Sequence, residues 1–77
     1  MDTARENITR EVGSRIRYAR KSRGMSMDEL AQAIYKTRSA ISKYENGQIS
    51  VDIATLYDIA NALKVSIYDL LPQYTGY

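Results

Sequence analysis

The sequence predicts an all-α fold, a compact domain of five short helices. Three observations carry that prediction. Helix-breaking residues are scarce, with one Pro and four Gly in 77 residues, and Gly24, Gly47 and Pro72 fall where helical patterns stop. Between these breaks apolar side chains recur at three- and four-residue spacing, the period of one helix face. Ser and Thr stand where those stretches open, so a side-chain oxygen can accept from the first backbone N–H groups. The chain has about half the length of a typical 150-residue domain, so residues 1–77 read as one unit. Its core is expected over about 8–71, with a frayed tail over 72–77.

The first helix is expected from about Asn7 to Arg23, because Ile8, Val12, Ile16 and Ala19 share one face, and Gly24 closes it. Ser26 and Glu29 form an S-x-x-E capping box ahead of Leu30, Ala31 and Ile34, which places a second helix from Met27 to Ile34 or Tyr35. A third follows after about three residues. Thr37 caps it, Ile41 and Tyr44 form its inward edge, and Asn46-Gly47 ends it near Glu45 or Asn46. After a loop at Gln48 to Ser50, the residues Ile53, Leu56, Tyr57, Ala60 and Leu63 mark the inward stripe of a fourth helix. Ser66 caps a short fifth helix through Leu70 and Leu71, which Pro72 stops.

Composition removes several function classes. Without Cys or His the chain has no disulfide, no Cys/His zinc site and no histidine acid–base chemistry. Neither a cofactor nor a metal is expected, nor is an enzyme, since Asp28 and Glu29 sit at a helix start where the helix dipole accounts for them. No apolar run approaches the roughly twenty residues that span a bilayer. The N-terminus, with Asp2 and Glu6 among Arg5 and Arg10, lacks the apolar stretch of a signal peptide. A cytoplasmic location is the expectation.

The net charge of +2 is unevenly placed. Residues 1–47 hold ten Lys/Arg against six Asp/Glu, or +4, and residues 48–77 hold one against three, or −2. Arg15, Arg17, Arg20, Lys21 and Arg23 follow one another with no acid between them. Such asymmetry favours a polyanionic partner of the basic half. Two short helices with a brief connection, the second polar on its outer face, also form the helix-turn-helix geometry that inserts a helix into a DNA major groove. On the third helix Ser39, Ser42, Lys43 and Asn46 are expected to turn outward, away from Ile41, with Arg38 at the N-terminus. All five can hydrogen-bond to base edges or phosphates, and none is acidic. Double-stranded DNA is therefore the expected partner.

The pattern goes further than this one face. Val12-Gly13, Ile16, Arg20, Gly24-Met25-Ser26, Asp28-Glu29-Leu30-Ala31 and Ile41-Ser42-Lys43-Tyr44-Glu45-Asn46-Gly47 stand in order. Thr55-Leu56, Ile59-Ala60, Ala62-Leu63, Val65-Ser66 and Asp69-Leu70-Leu71 continue it. From Val12 to Leu71 the chain resembles the XRE-like helix-turn-helix family of lambdoid phage repressors and Cro. The resemblance implies a five-helix domain that binds operator DNA as a transcription regulator, often a repressor, and often as a dimer on a palindromic site. By the same resemblance the base-reading positions fall on Arg38, Ser39, Ser42 and Lys43, and the phosphate-holding positions on Ser26, Thr37 and Asn46. It also implies that Arg20 and Glu45 form a structural ion pair bracing the first helix on the third.

Two positions depart from that family pattern. Met27 stands where the family usually has Gln, and it cannot donate to a phosphate or support the residue at Arg38. Tyr35 stands where the family usually has Gly, and since tyrosine resists positive φ, the turn is expected to differ in shape. Tyr44 and Tyr57 are read as inward, and Tyr57, Tyr68, Tyr74 and Tyr77 lie in the acidic half, so the tyrosines do not read as a nucleic-acid stacking platform. A homodimer is expected through the fifth helix and its flanks, with Ile67, Tyr68, Leu71 and Tyr74. The alternative reading is a helical protein-interaction or antitoxin-like module with weak or no DNA binding, and Met27 is its best support.

Overall fold

A computed structural model describes residues 4–73. Five helices follow in order: α1 (Ala4–Ser22), α2 (Met27–Ala33), α3 (Arg38–Glu45), α4 (Ile53–Leu63) and α5 (Ile67–Leu70), with no strand among the described residues. Of the tail expected over 72–77, residues 74–77, including Tyr74 and Tyr77, lie outside the described residues.

Local side-chain chemistry starts four of the helices. Ser26 accepts from the Glu29 amide while the Glu29 carboxylate accepts from the Ser26 amide, the reciprocal capping box ahead of α2. Thr37 caps α3 through the Ala40 amide at 3.1 Å. Ser66 accepts from the Tyr68 amide, and Asp69 accepts from the Ser66 amide. Asp52 caps α4, a role the sequence reading left unassigned; its carboxylate accepts from both the hydroxyl and the amide of Thr55, at 2.7 and 3.1 Å. Those bonds, the hydroxyl first, hold the Asp52 carboxyl below its ordinary range, and the Ser26 amide does the same for Glu29.

The core is assembled from every helix. Ile16, Leu30, Ile41, Ile59, Leu63 and Leu70 are fully buried, with Val12, Ala19, Ala31, Ile34, Tyr44, Leu56 and Ala60 closing around them. Helix α3 packs on α1 and α2, while α5 bridges α1 and α4. Gly13 sets the distance between α1 and α3. A Cβ at this position would collide with the Tyr44 carbonyl oxygen and lie 2.9 Å from that of Glu45.

Several expected boundaries and faces shift. Helix α1 starts at Ala4, a turn before Asn7, and ends at Ser22. Helix α2 ends at Ala33, one or two residues early, because Ile34 leaves helical geometry and Tyr35 adopts a left-handed φ of 58°. Four residues, 34–37, therefore separate α2 from α3. The turn keeps its tight left-handed form despite the tyrosine, so the expected change of shape is corrected: the chain accepts the strain, on the order of 1 kcal/mol, and leaves the ring in solvent. Leu71 lies outside α5 in extended backbone, as befits a residue before proline.

Tyr57 is exposed, not inward, and Ile53 is exposed too. The stripe that meets the core is Thr55, Leu56, Ile59, Ala60 and Leu63, and Tyr57 lies about 100° round the helix from Leu56 on the side away from Ile59. Ile8 is also partly exposed, because it precedes the stretch of α1 that the other helices cover.

Candidate nucleic-acid interface

The outer surface of α3 is built from residues two and three positions either side of its buried stripe. Ile41, Tyr44 and Glu45 face inward, which leaves Arg38, Ser39 and Lys43 exposed, with Asn46 at the C-cap. Ser42 is only half-exposed, a correction to its expected outward position: it follows Ile41 by one residue, about 100°, and so lies on the flank of the helix. Its hydroxyl is within 3.4 Å of the Asn46 side-chain amide, which donates to it. Ser26 and Thr37 are exposed, and the hydroxyl of each already accepts an amide at its helix start.

Beneath this surface Arg20 and Glu45 form a two-pronged pair. Arg20 donates through Nε to Glu45 Oε2 at 2.6 Å and through Nη2 to Glu45 Oε1 at 3.0 Å; its Nη1 donates to the Met25 carbonyl oxygen at 2.9 Å. The side chains are 8% and 1% exposed. The hydrogen bond to Glu45 raises the Arg20 pKa above its already high ordinary value, against the opposing effect of burial. One guanidinium thus ties the C-terminal end of α3 to α1 and to the turn leading into Ser26. No buried side-chain polar atom among the described residues lacks a hydrogen-bond partner.

At the other end of α3 Arg38 is held loosely. Its Nη1 lies 3.5 Å from Asp28 Oδ2, in a pair whose side chains are 66% and 63% exposed. Asp28 escaped the sequence reading as a partner of Arg38, because the contact joins two helices whose crossing is set by the turn. Met27 is partly buried and packs against the core, so the position where the family usually has Gln serves packing here.

Beyond α3, Gly47 takes a φ of 71° and lies against α1, where an added Cβ would come within 2.7 Å of Arg10 Cγ and 2.9 Å of Arg10 Cα. The hydroxyls of Thr9 and Ser50 meet at 3.2 Å and further join α1 to this loop. Among the described residues no group of Asp, Glu, His and Cys is placed to hold a metal. No described helix is long and apolar enough to cross a membrane.

A short turn between α2 and α3, an outer α3 face without acids and a buried brace behind it define the helix-turn-helix class of DNA-binding domains found in transcription regulators. The family model described as helix-turn-helix (HTH_3) matches residues 16–70, and the chain belongs to that family. It is 36% identical over 61 residues to a transcriptional regulator in the ATPase CF(0) region of Rhodospirillum rubrum, a match covering 79% of this chain and 56% of that protein. With the HTH-type transcriptional regulator SutR of Escherichia coli it shares 32% identity over 60 residues, 78% of this chain and 34% of SutR. The chain thus spans between a third and just over half of these two regulators. Among solved structures, the restriction-modification controller protein C.AhdI of Aeromonas hydrophila superimposes with a TM-score of 0.78 at 28% identity, covering 82% of this chain and 96% of that one.

Proposed function

We propose that this chain is a cytoplasmic, sequence-specific regulator of transcription that lays α3 in the major groove of a palindromic operator. The outer face of α3 carries this reading: Arg38, Ser39, Lys43 and Asn46 are exposed on it, its one carboxylate is buried against Arg20, and so no negative charge of α3 opposes the groove. In this reading Arg38 is the principal base reader, because a guanidinium bonds O6 and N7 of guanine together, the commonest specific contact. Ser39, Ser42 and Lys43 complete the base-reading set, with Ser42 reaching from the flank. Ser26, Thr37 and Asn46 hold phosphates on either side. Arg20 and Glu45 act structurally by fixing the angle at which α3 is presented.

The proposed assembly is a homodimer whose two copies of α3 lie about 34–36 Å apart, one duplex turn, the spacing given for repressors of the λ and 434 type. Its surface is assigned to α5 and its flanks, where Tyr68 is exposed and Ile67 and Leu71 keep part of their area outside the core. One experiment tests the reading as a whole. Selection from a random duplex pool, followed by sedimentation of protein with the selected site, should return a two-fold symmetric sequence bound by two chains. A pool with no enriched sequence, or a site occupied by a single chain, overturns the corresponding part.

A further inference from the structure

The five cations of the basic run along α1 and in the turn that follows it do not share one role. Arg20 is committed to Glu45. Arg15 donates to Glu11 through Nε and Nη2 at 3.1 and 3.0 Å, and its Nη1 lies 3.4 Å from the Asp69 carbonyl oxygen. Arg23 donates through Nη2 to the Lys64 carbonyl oxygen at 2.6 Å. Arg17 and Lys21 are left: both are exposed, and neither side chain makes a hydrogen bond or ion pair among the described residues.

Helix geometry assigns these two to one side. Taking Ile16 as the inward direction at 100° per residue, Gly13 and Arg20 lie about 60° and 40° round on the side of α3, and Arg17 and Lys21 follow at about 100° and 140° on that same side. Arg15 lies about 100° round on the opposite side, towards α5. Gly13 abuts the last turn of α3, and Arg20 bonds both Glu45 and the carbonyl that precedes Ser26. Arg17 and Lys21 therefore flank the edge where α3 ends and α2 begins, between Asn46 and Ser26. Nearby carboxylates do not cancel them. Glu45 is neutralised by Arg20, Glu11 is turned to Arg15, and Glu29 is bonded to the Ser26 amide; Asp28 lies in the next turn, facing Arg38.

We propose that Arg17 and Lys21 form a phosphate-binding ridge on α1, which grips the DNA backbone by charge alone and carries no base preference. The inference rests on the DNA-binding reading above and extends it from the α2–α3 unit to the outer edge of α1. The ligand is the phosphodiester backbone of duplex DNA, because two long, mobile cations beside a helix already placed for the major groove suit a regular row of negative charge rather than a single anion.

The test is the salt dependence of binding by the full chain to sheared random-sequence duplex DNA and to a selected site. In the double variant Arg17→Gln/Lys21→Gln the slope of log affinity against log salt should shrink by about 1.8, at roughly 0.9 per phosphate contact. Affinity for both duplexes should fall by the same factor, with base preference and thermal melting unchanged. Arg15→Gln/Arg23→Gln, which removes the same charge from residues committed elsewhere, should leave the slope close to the parent's. A parent that binds while the two double variants share one slope overturns the ridge alone. A parent with no salt-dependent binding to duplex DNA overturns the DNA-binding reading, and the ridge with it.

Discussion

Two arginine–carboxylate pairs lie at opposite ends of α3, one behind it and one in front. Arg20 and Glu45 meet at 2.6 Å with side chains 8% and 1% exposed, whereas Arg38 and Asp28 meet at 3.5 Å with side chains 66% and 63% exposed. The chemistry is the same and the surroundings are not. Inside the protein, water does not compete for the charges, and removing one partner strands the other. At the surface, water and salt screen the pair, and the long Arg38 side chain loses freedom by staying on Asp28, so it holds little. The buried pair can therefore fix the pose of α3, and the exposed pair leaves Arg38 able to exchange its carboxylate for a guanine edge.

Substitutions at the two ends should separate these roles. Glu45→Ala should have the largest effect, about 3–5 kcal/mol of stability, because Arg20 is left charged and buried. Thermal or urea unfolding measures it, and a parent-like melt would mean that the pair bears no load. Gly13→Ala should follow at about 1–3 kcal/mol, since the added methyl is driven against the backbone carbonyls of Tyr44 and Glu45 rather than against a side chain that could move. Arg38→Ala should do the reverse, with stability changed by less than about 0.5 kcal/mol. Binding to the selected site should weaken by about 1–3 kcal/mol, with preference relaxed at one G·C pair. Unchanged preference in a selection would remove Arg38 from base reading.

Smaller effects belong to the turns and caps. Tyr35→Gly should raise stability by up to about 1 kcal/mol, because relief of the left-handed strain exceeds the added freedom of the unfolded chain. Asp52 and Glu29 have lowered pKa values in the fold, so their contribution is complete above the ordinary carboxylate range and is lost as pH falls through the folded values. Asp52→Asn, which keeps the capping oxygen but cannot titrate, should flatten the acid side of the melting-temperature profile. A profile identical to the parent's would show that the cap's charge does not contribute.

The fold was largely legible because its signals are local. A capping box such as Ser26 with Glu29 is complete within four residues, and the stripe of Ile16 and Ala19 within one turn, so helix number and order can be read from neighbours along the chain. The expectation of DNA binding drew on charge asymmetry and on the resemblance to a family, and the family match over residues 16–70 agrees with it. Errors gathered where a residue's fate depends on another helix. Tyr57 and Ile53 are apolar at helical spacing, yet they are exposed because no described helix covers that side of α4. Ser42 differs from Ser39 only in its angle to Ile41, and that angle decides its exposure.

Spacing within a turn or two and simple counting were enough to set five helices, the caps at Ser26, Thr37 and Ser66, most of the small apolar core and the concentration of charge in the first 47 residues. Tertiary structure alone decided which charges are committed. Arg20 meets Glu45 across 25 residues, Arg23 meets Lys64 across 41 and Arg15 meets Asp69 across 54, and only the packing of α1 against α3, α4 and α5 makes those meetings possible. The same packing, set at Gly13 by a contact too close for any side chain, leaves Arg17 and Lys21 without partners among the described residues. Five cations that look alike in one dimension thus become a brace, two tethers and two exposed charges, since burial and geometry, not composition, set what a charge can do.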